Sequence, residues 1–133
     1  MIEAKELRVG NKVTFTIHLP IGYYHPIPAI TEITEIESGN VQSTHGAYKY
    51  HDIAPVPLTE TILVKCGGKK SGENLYIFED EDKDIPALLV LLSDDKFYLS
   101  TEKMDKLSVP ITSVHHFQNL YYMLKGKNID VKF

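Results

Sequence analysis

The chain holds one cysteine, one arginine and no tryptophan in 133 residues. A lone Cys66 excludes an internal disulfide and a cysteine metal cluster. A lone Arg8, with no basic run anywhere, argues against general affinity for nucleic acid, because phosphate binding needs concentrated lysine and arginine. Long apolar runs are also missing: the longest, Ile85 to Leu92, is far too short to span a bilayer. The opening MIEAKELRVG has no apolar signal-peptide core, so a cytoplasmic setting is expected. No GxSxG, P-loop, HExxH or dinucleotide fingerprint occurs, and nothing in the chain argues for an enzyme.

What is there reads as globular. A hydrophobic share of 43% rules out a disordered chain, and the length suits one domain or two small lobes. Net charge is −4; residues 1–70 hold seven basic and seven acidic side chains, residues 71–133 seven and eleven, so the excess is C-terminal.

The clearest element lies at residues 113–125. Ser113 is a good N-cap, and Gly126 stands where a left-handed residue ends a helix. Val114, Phe117, Leu120, Tyr121 and Leu124 recur at helical spacing and form one apolar stripe. His115, Gln118, Asn119 and Tyr122 fall on the opposite face. The stripe must lie on a sheet built by the preceding residues. Ile129, Val131 and Phe133 alternate in an expected closing strand over 128–133.

Before it, Val13, Phe15 and Ile17 alternate with polar residues in an opening strand. Residues 19–28, LPIGYYHPIP, are a loop, since prolines remove ladder donors. Ala29 to Ile36 and Val41 to Thr44 form a hairpin around Ser38-Gly39-Asn40, and Ile33 breaks the parity of Ile30 and Ile36, which predicts a bulge or a strong twist. Ala47 to Ile53 reads as one further strand. Pro55-Val56-Pro57 is a stiff connector. Thr59 then caps a short helix whose face is Leu58, Ile62, Leu63 and Cys66 and whose end is Gly67-Gly68, although β-branched Ile62 and Val64 leave a strand open. Strands follow at 75–78, 87–92 and 97–100; the middle one is apolar on both parities, which predicts cover on both faces.

Two surfaces could bind a partner. Tyr23, Tyr24 and His25 sit in the proline-rich loop, and loop aromatics are how small barrels grip extended peptides; packing back on their own lobe is the simpler reading. His115, Asn119 and Tyr122 form a polar helix ridge, for which plain solvation is simpler. Neighbouring His115 and His116 point about 100° apart and lack the i,i+4 spacing of a zinc pair. The acid-rich Glu79 to Asp84 lacks the glycine of a calcium loop. Neither a metal nor a cofactor is expected. Cys66 lies near a helix C-terminus, which raises a thiol pKa, so it reads as a core residue.

Three stretches, KELRVGNKV, PVPLTETILVKCGG and SVHHFQNLYYMLKGKNIDV, together resemble a family of small uncharacterised proteins encoded in prophages and other mobile elements of gut anaerobic bacteria. Proteins of that family open with ELRIGN, carry PIPLTEEILLKCGF and end with VHQLQNLYFALTGKEL. The chain departs from them at His116-Phe117, where they have Gln-Leu, and at Gly68, where Phe is common. The resemblance implies a genomic setting and a shared fold, and no activity.

The expected architecture is α+β: an SH3-like small β-barrel over 1–54, then a lobe over 55–133 in which a small antiparallel sheet is packed by the C-terminal helix. The expected function is a non-enzymatic accessory or structural binding protein of a phage-like element. Its partner would be a protein, with no membrane attachment and little affinity for duplex nucleic acid. A nucleic-acid-associated regulator using the barrel loops is the alternative, and a small hydrolase drawing acids from loops a weaker third. Nothing in the chain sets an oligomeric state.

Overall fold

The computed structural model describes residues 4–17, 27–80, 86–100 and 106–133. Its contacts divide the chain into two units, Met1–Pro57 with Ser113–Asn119, and Leu58–Thr112 with Leu120–Phe133. Each carries one five-stranded antiparallel sheet.

The first unit holds β1 (Lys12–Ile17), β2 (Ile27–Ile36), β3 (Asn40–Ser43), β4 (Gly46–Lys49) and β5 (Ile53–Pro55), in the order β4-β3-β2-β1-β5. The β2–β3 register shifts between Ile33 and Glu35, where parity predicts a bulge. The shift turns Ile33 inward beside Leu7, Val13, Phe15, Val41 and Ile53, all buried. The single strand expected over 47–53 is instead broken by a 3-10 turn, Tyr50–Asp52. The break has a topological reason: β4 pairs with β3, whereas β5 must reach the far side of β1. Tyr48 and Tyr50 pack against this core, with Tyr48 ring-stacked at 4.7 Å from Phe15.

The second unit begins with α1 (Glu60–Lys65), followed by β6 (Lys69–Ser71), β7 (Leu75–Phe78), β8 (Leu88–Ser93), β9 (Lys96–Ser100) and β10 (Lys106–Ile111), in the order β10-β9-β8-β7-β6. Asp94 and Asp95, at φ 52° and 63°, make the two-residue turn between β8 and β9, the left-handed geometry that suits a right-twisted hairpin. Tyr76, Phe78, Leu88, Val90 and Phe97 are buried on one face of the sheet. Cover on both faces is not what forms. Leu75, Ile77, Leu89, Leu91 and Tyr98, brought into register on the other face, are only half-buried.

The terminal helix, α2, spans Val114–Lys125 and is capped as expected: the His116 amide donates to Ser113 Oγ at 3.3 Å, and Gly126 has φ 73°. Its packing differs from the expectation. Residues 113–119 belong to the first unit, where Gln118 and Asn119 bond to residues 6–12, and only the later turns belong with the second sheet. Val114, Phe117 and Tyr121 are buried, Leu120 is half-buried, and Leu124 is 54% exposed. No strand forms over 128–133; the segment is irregular, with Val131 buried and Phe133 exposed. Side-chain alternation alone does not make a strand, because a strand also needs its backbone groups paired in a ladder. No helix among the described residues is long and apolar enough to cross a membrane.

Candidate functional site

Tyr23, Tyr24 and His25 lie outside the described residues. The polar ridge of α2 does not exist as a single surface. His115 is 5% exposed and Gln118 is 7% exposed. Asn119 is half-buried and committed: its Nδ2 donates to the Glu6 carbonyl and its Oδ1 accepts from Asn11, both at 2.8 Å. Gln118 Oε1 accepts from the Lys12 amide and its Nε2 donates to the Gly10 carbonyl. Only Tyr122 of the ridge is exposed. These amides hold the helix to the Gly10-Asn11 turn, and amphipathic periodicity cannot distinguish an amide bonded to backbone from one bonded to water.

His115 sits where its charged form is disfavoured. Burial pushes its pKa down, the Glu6 carboxylate opposes that, and neighbouring His116 adds to it. Its Nδ1 has no hydrogen-bond partner among the described residues. Cys66 is half-buried, and its thiol pKa is raised, first by burial, against a lowering bond from the Lys132 backbone. That direction matches the sequence reading, but its first cause is burial rather than the helix end. Among the described residues, no three His, Cys, Asp or Glu side chains gather as a metal site.

A different place in the second unit combines shape with chemistry. Thr59 caps α1, its hydroxyl accepting from the Ile62 amide at 3.2 Å. The helix closes in a Schellman pattern: Gly67 (φ 103°) donates to the Val64 carbonyl and Gly68 to the Leu63 carbonyl at 2.9 Å. Gly68 admits no side chain, since a Cβ there would lie 2.7 Å from Phe78 Cζ and 2.8 Å from the Leu63 oxygen. The tight exit delivers the chain straight into β6, an edge strand of its sheet among the described residues.

Between α1 and β6 lies a concavity of about 400 Å³, lined by Glu60, Thr61, Val64, Lys65, Lys70 and Tyr76. Val64 gives it an apolar wall and is 52% exposed. Lys70 and Tyr76 face the same side because they are cross-strand partners. The Tyr76 hydroxyl donates to Glu60 Oε1 at 2.5 Å, and the Lys70 ammonium lies 4.0 Å from the same oxygen and 5.9 Å above the Tyr76 ring. Burial first, then the bond to Glu60, then its charge, push the Tyr76 pKa up to about 12. The phenol therefore keeps its proton across the neutral range and points it at Glu60.

Sequence reasoning found α1 and its caps but not this groove. The available signal was three lysines, 65, 69 and 70, within six residues of an acidic chain. Compared with known proteins, the chain matches no family model, no curated protein and no solved structure.

Proposed function

We propose that the protein is a non-enzymatic binding module that recognises another protein, and that the groove between α1 and β6 is where the partner sits. One observation carries the reading: an edge strand with all three residues exposed runs beside a concavity of about 400 Å³. An unpaired edge offers backbone donors and acceptors, and an adjacent pocket selects side chains, which together are the two requirements for recognising an extended peptide.

The chemistry in the groove favours holding over reacting. A general acid or base works best with a pKa near the operating pH, and a Tyr76 hydroxyl at about 12 is far from it. The strand order β4-β3-β2-β1-β5, in which the fifth strand returns to the first, supports reading the first unit as an SH3-like barrel. The resemblance of three stretches supports an accessory role in a phage-like mobile element. Net charge of −4 with one arginine speaks against a duplex partner.

The test is selection from a displayed library of linear peptides, run on the whole chain and on Val64→Trp, which fills the groove from an exposed position without adding charge. Peptides enriched by the wild type and lost on an equally stable Val64→Trp support the reading. No enrichment, or equal enrichment on both proteins, overturns it.

A further inference from the structure

We infer that this groove takes an acidic strand: an extended segment of a partner protein that pairs with the outer edge of β6 and sets a carboxylate opposite Lys70. The inference rests on the groove being the binding site and adds the backbone geometry and charge of what enters it.

The geometry comes from the register. Lys70 is the cross-strand partner of Tyr76, so its side chain stands on the concavity side, while those of Lys69 and Ser71, paired with Ile77 and Leu75, stand on the other. A strand added beyond β6 continues this alternation. Its residue opposite Lys70 projects into the concavity, and that residue's neighbours in sequence project away. Along the added strand, the positions two residues to either side return to the concavity side.

The charge comes from the lysines. Lys65, Lys69 and Lys70 fall within six residues of a chain whose net charge is −4; Lys69, on the other face, is paired with Glu79 at 3.3 Å. Lys65 and Lys70 both line the concavity, against a single carboxylate, Glu60. That carboxylate already accepts a hydrogen bond from the Tyr76 hydroxyl at 2.5 Å, and at 4.0 Å from the Lys70 ammonium it leaves the two lysines one carboxylate between them. An incoming carboxylate opposite Lys70 gains an oppositely charged cross-strand partner, with Lys65 on the facing helix wall. Val64 offers an apolar contact beside them, which suits an aliphatic residue at a flanking inward position.

The same lysines discriminate among occupants. In a two-fold antiparallel pairing of β6 with a second copy centred on Lys70, that residue would lie opposite its own equivalent, and directly opposed like charges are destabilising. The edge thus repels its own kind and attracts a strand of opposite charge.

The experiment uses the full chain and four labelled peptides in fluorescence anisotropy. One alternates threonine with inward-facing residues that read valine, glutamate, valine; the second replaces glutamate with glutamine; the third replaces it with lysine; the fourth is the glutamate peptide N-methylated at alternate backbone positions. The inference expects the glutamate peptide to bind about five-fold or more tighter than the glutamine one. It also expects weakening with added salt, and loss on N-methylation. Lys70→Gln should erase the preference, and Lys65→Glu/Lys70→Glu should turn it toward the lysine peptide. Equal binding of the glutamate and glutamine peptides overturns the acidic partner and leaves the groove reading standing. Undiminished binding of the N-methylated peptide overturns strand pairing. No binding by any of the four overturns the inference; if the library also enriches nothing, the groove reading falls with it. Self-association of the chain alone in sedimentation, abolished by Ser71→Pro, would make a second copy the occupant and overturn it as well.

Discussion

Asn11 Nδ2 donates to Asn119 Oδ1 at 2.8 Å, joining residues 108 positions apart. Asn11 is 1% exposed, and its own Oδ1 accepts from the Arg8 amide at 2.7 Å. One side chain therefore shapes the Val9-Gly10 turn and anchors α2 to it. Gly10, at φ 96°, lets the backbone fold back so that its amide meets the Ile33 carbonyl at 2.8 Å. The bulge that buries Ile33, the turn, and the first half of the terminal helix form one connected polar network in the first unit.

Because both asparagine amides bond inward, removing either leaves partners unpaired. Asn11→Ala should cost about 2–3 kcal/mol, since it strands both the Arg8 amide and Asn119 Oδ1. Asn119→Ala should cost about 1–2 kcal/mol. In urea unfolding the double variant should cost less than the sum, by about 1 kcal/mol. Strict additivity would show that the two side chains do not act together.

Gly68 is constrained by contact rather than by conformation. Gly68→Ala should destabilise by about 1–3 kcal/mol, because the new Cβ meets the Leu63 carbonyl, which cannot withdraw without losing the bond that ends α1. Pairing it with Phe78→Leu relieves the ring contact but not the carbonyl, so denaturation should show only partial recovery. Full recovery would place the conflict at the ring alone.

These examples show where local chemistry was legible and where it was not. Caps at Ser113 and Thr59, left-handed Gly126, the Gly67-Gly68 exit and the bulge near Ile33 are decided by neighbours in sequence, and each forms as the residues dictate. What α2 packs against is decided elsewhere. Gln118 and Asn119 look like solvent-facing residues until Gly10 and Asn11 arrive, and Leu124 completes the apolar stripe yet stays exposed. The same holds for 128–133, where side chains alternate yet no strand forms. The groove was illegible for a related reason: Lys70, Tyr76 and Glu60 become neighbours only through the β6–β7 register and the seating of α1.

His115 predicts an acid-sensitive fold. Its folded pKa lies below the ordinary 6.5 because burial disfavours the imidazolium. Above 6.5 both folded and unfolded forms are neutral and the full stability is present. As pH falls below 6.5 the unfolded chain takes up a proton that the folded chain refuses, so stability declines until the folded pKa is reached. The Tm should drop between pH 7 and pH 5, and His115→Gln should flatten that part of the profile. An equally steep fall in the variant would assign the acid sensitivity to other groups.

The last prediction concerns a buried charge in the second unit. The Lys125 and Asp80 side chains are 2% and 1% exposed, with Lys125 Nζ 3.7 Å from Asp80 Oδ2. Lys125 Nζ also donates to the carbonyls of Pro86 at 2.7 Å and Phe78 at 3.4 Å, while Lys127 reaches Asp80 at 2.9 Å. Carbonyl dipoles alone do not balance a buried ammonium, so Asp80→Asn should be severe, about 3–5 kcal/mol. Lys125→Met keeps the length and removes the charge, leaving Asp80 paired with half-exposed Lys127; it should cost less. The decisive comparison is the double variant, in which both buried charges are gone. Adding Lys125→Met to Asp80→Asn should restore stability relative to Asp80→Asn alone, a sign reversal that simple loss of packing cannot produce. Further destabilisation in the double variant, measured by urea unfolding, would mean that the lysine contributes through its carbonyl bonds and its stem, and that Asp80 is not what makes its burial tolerable.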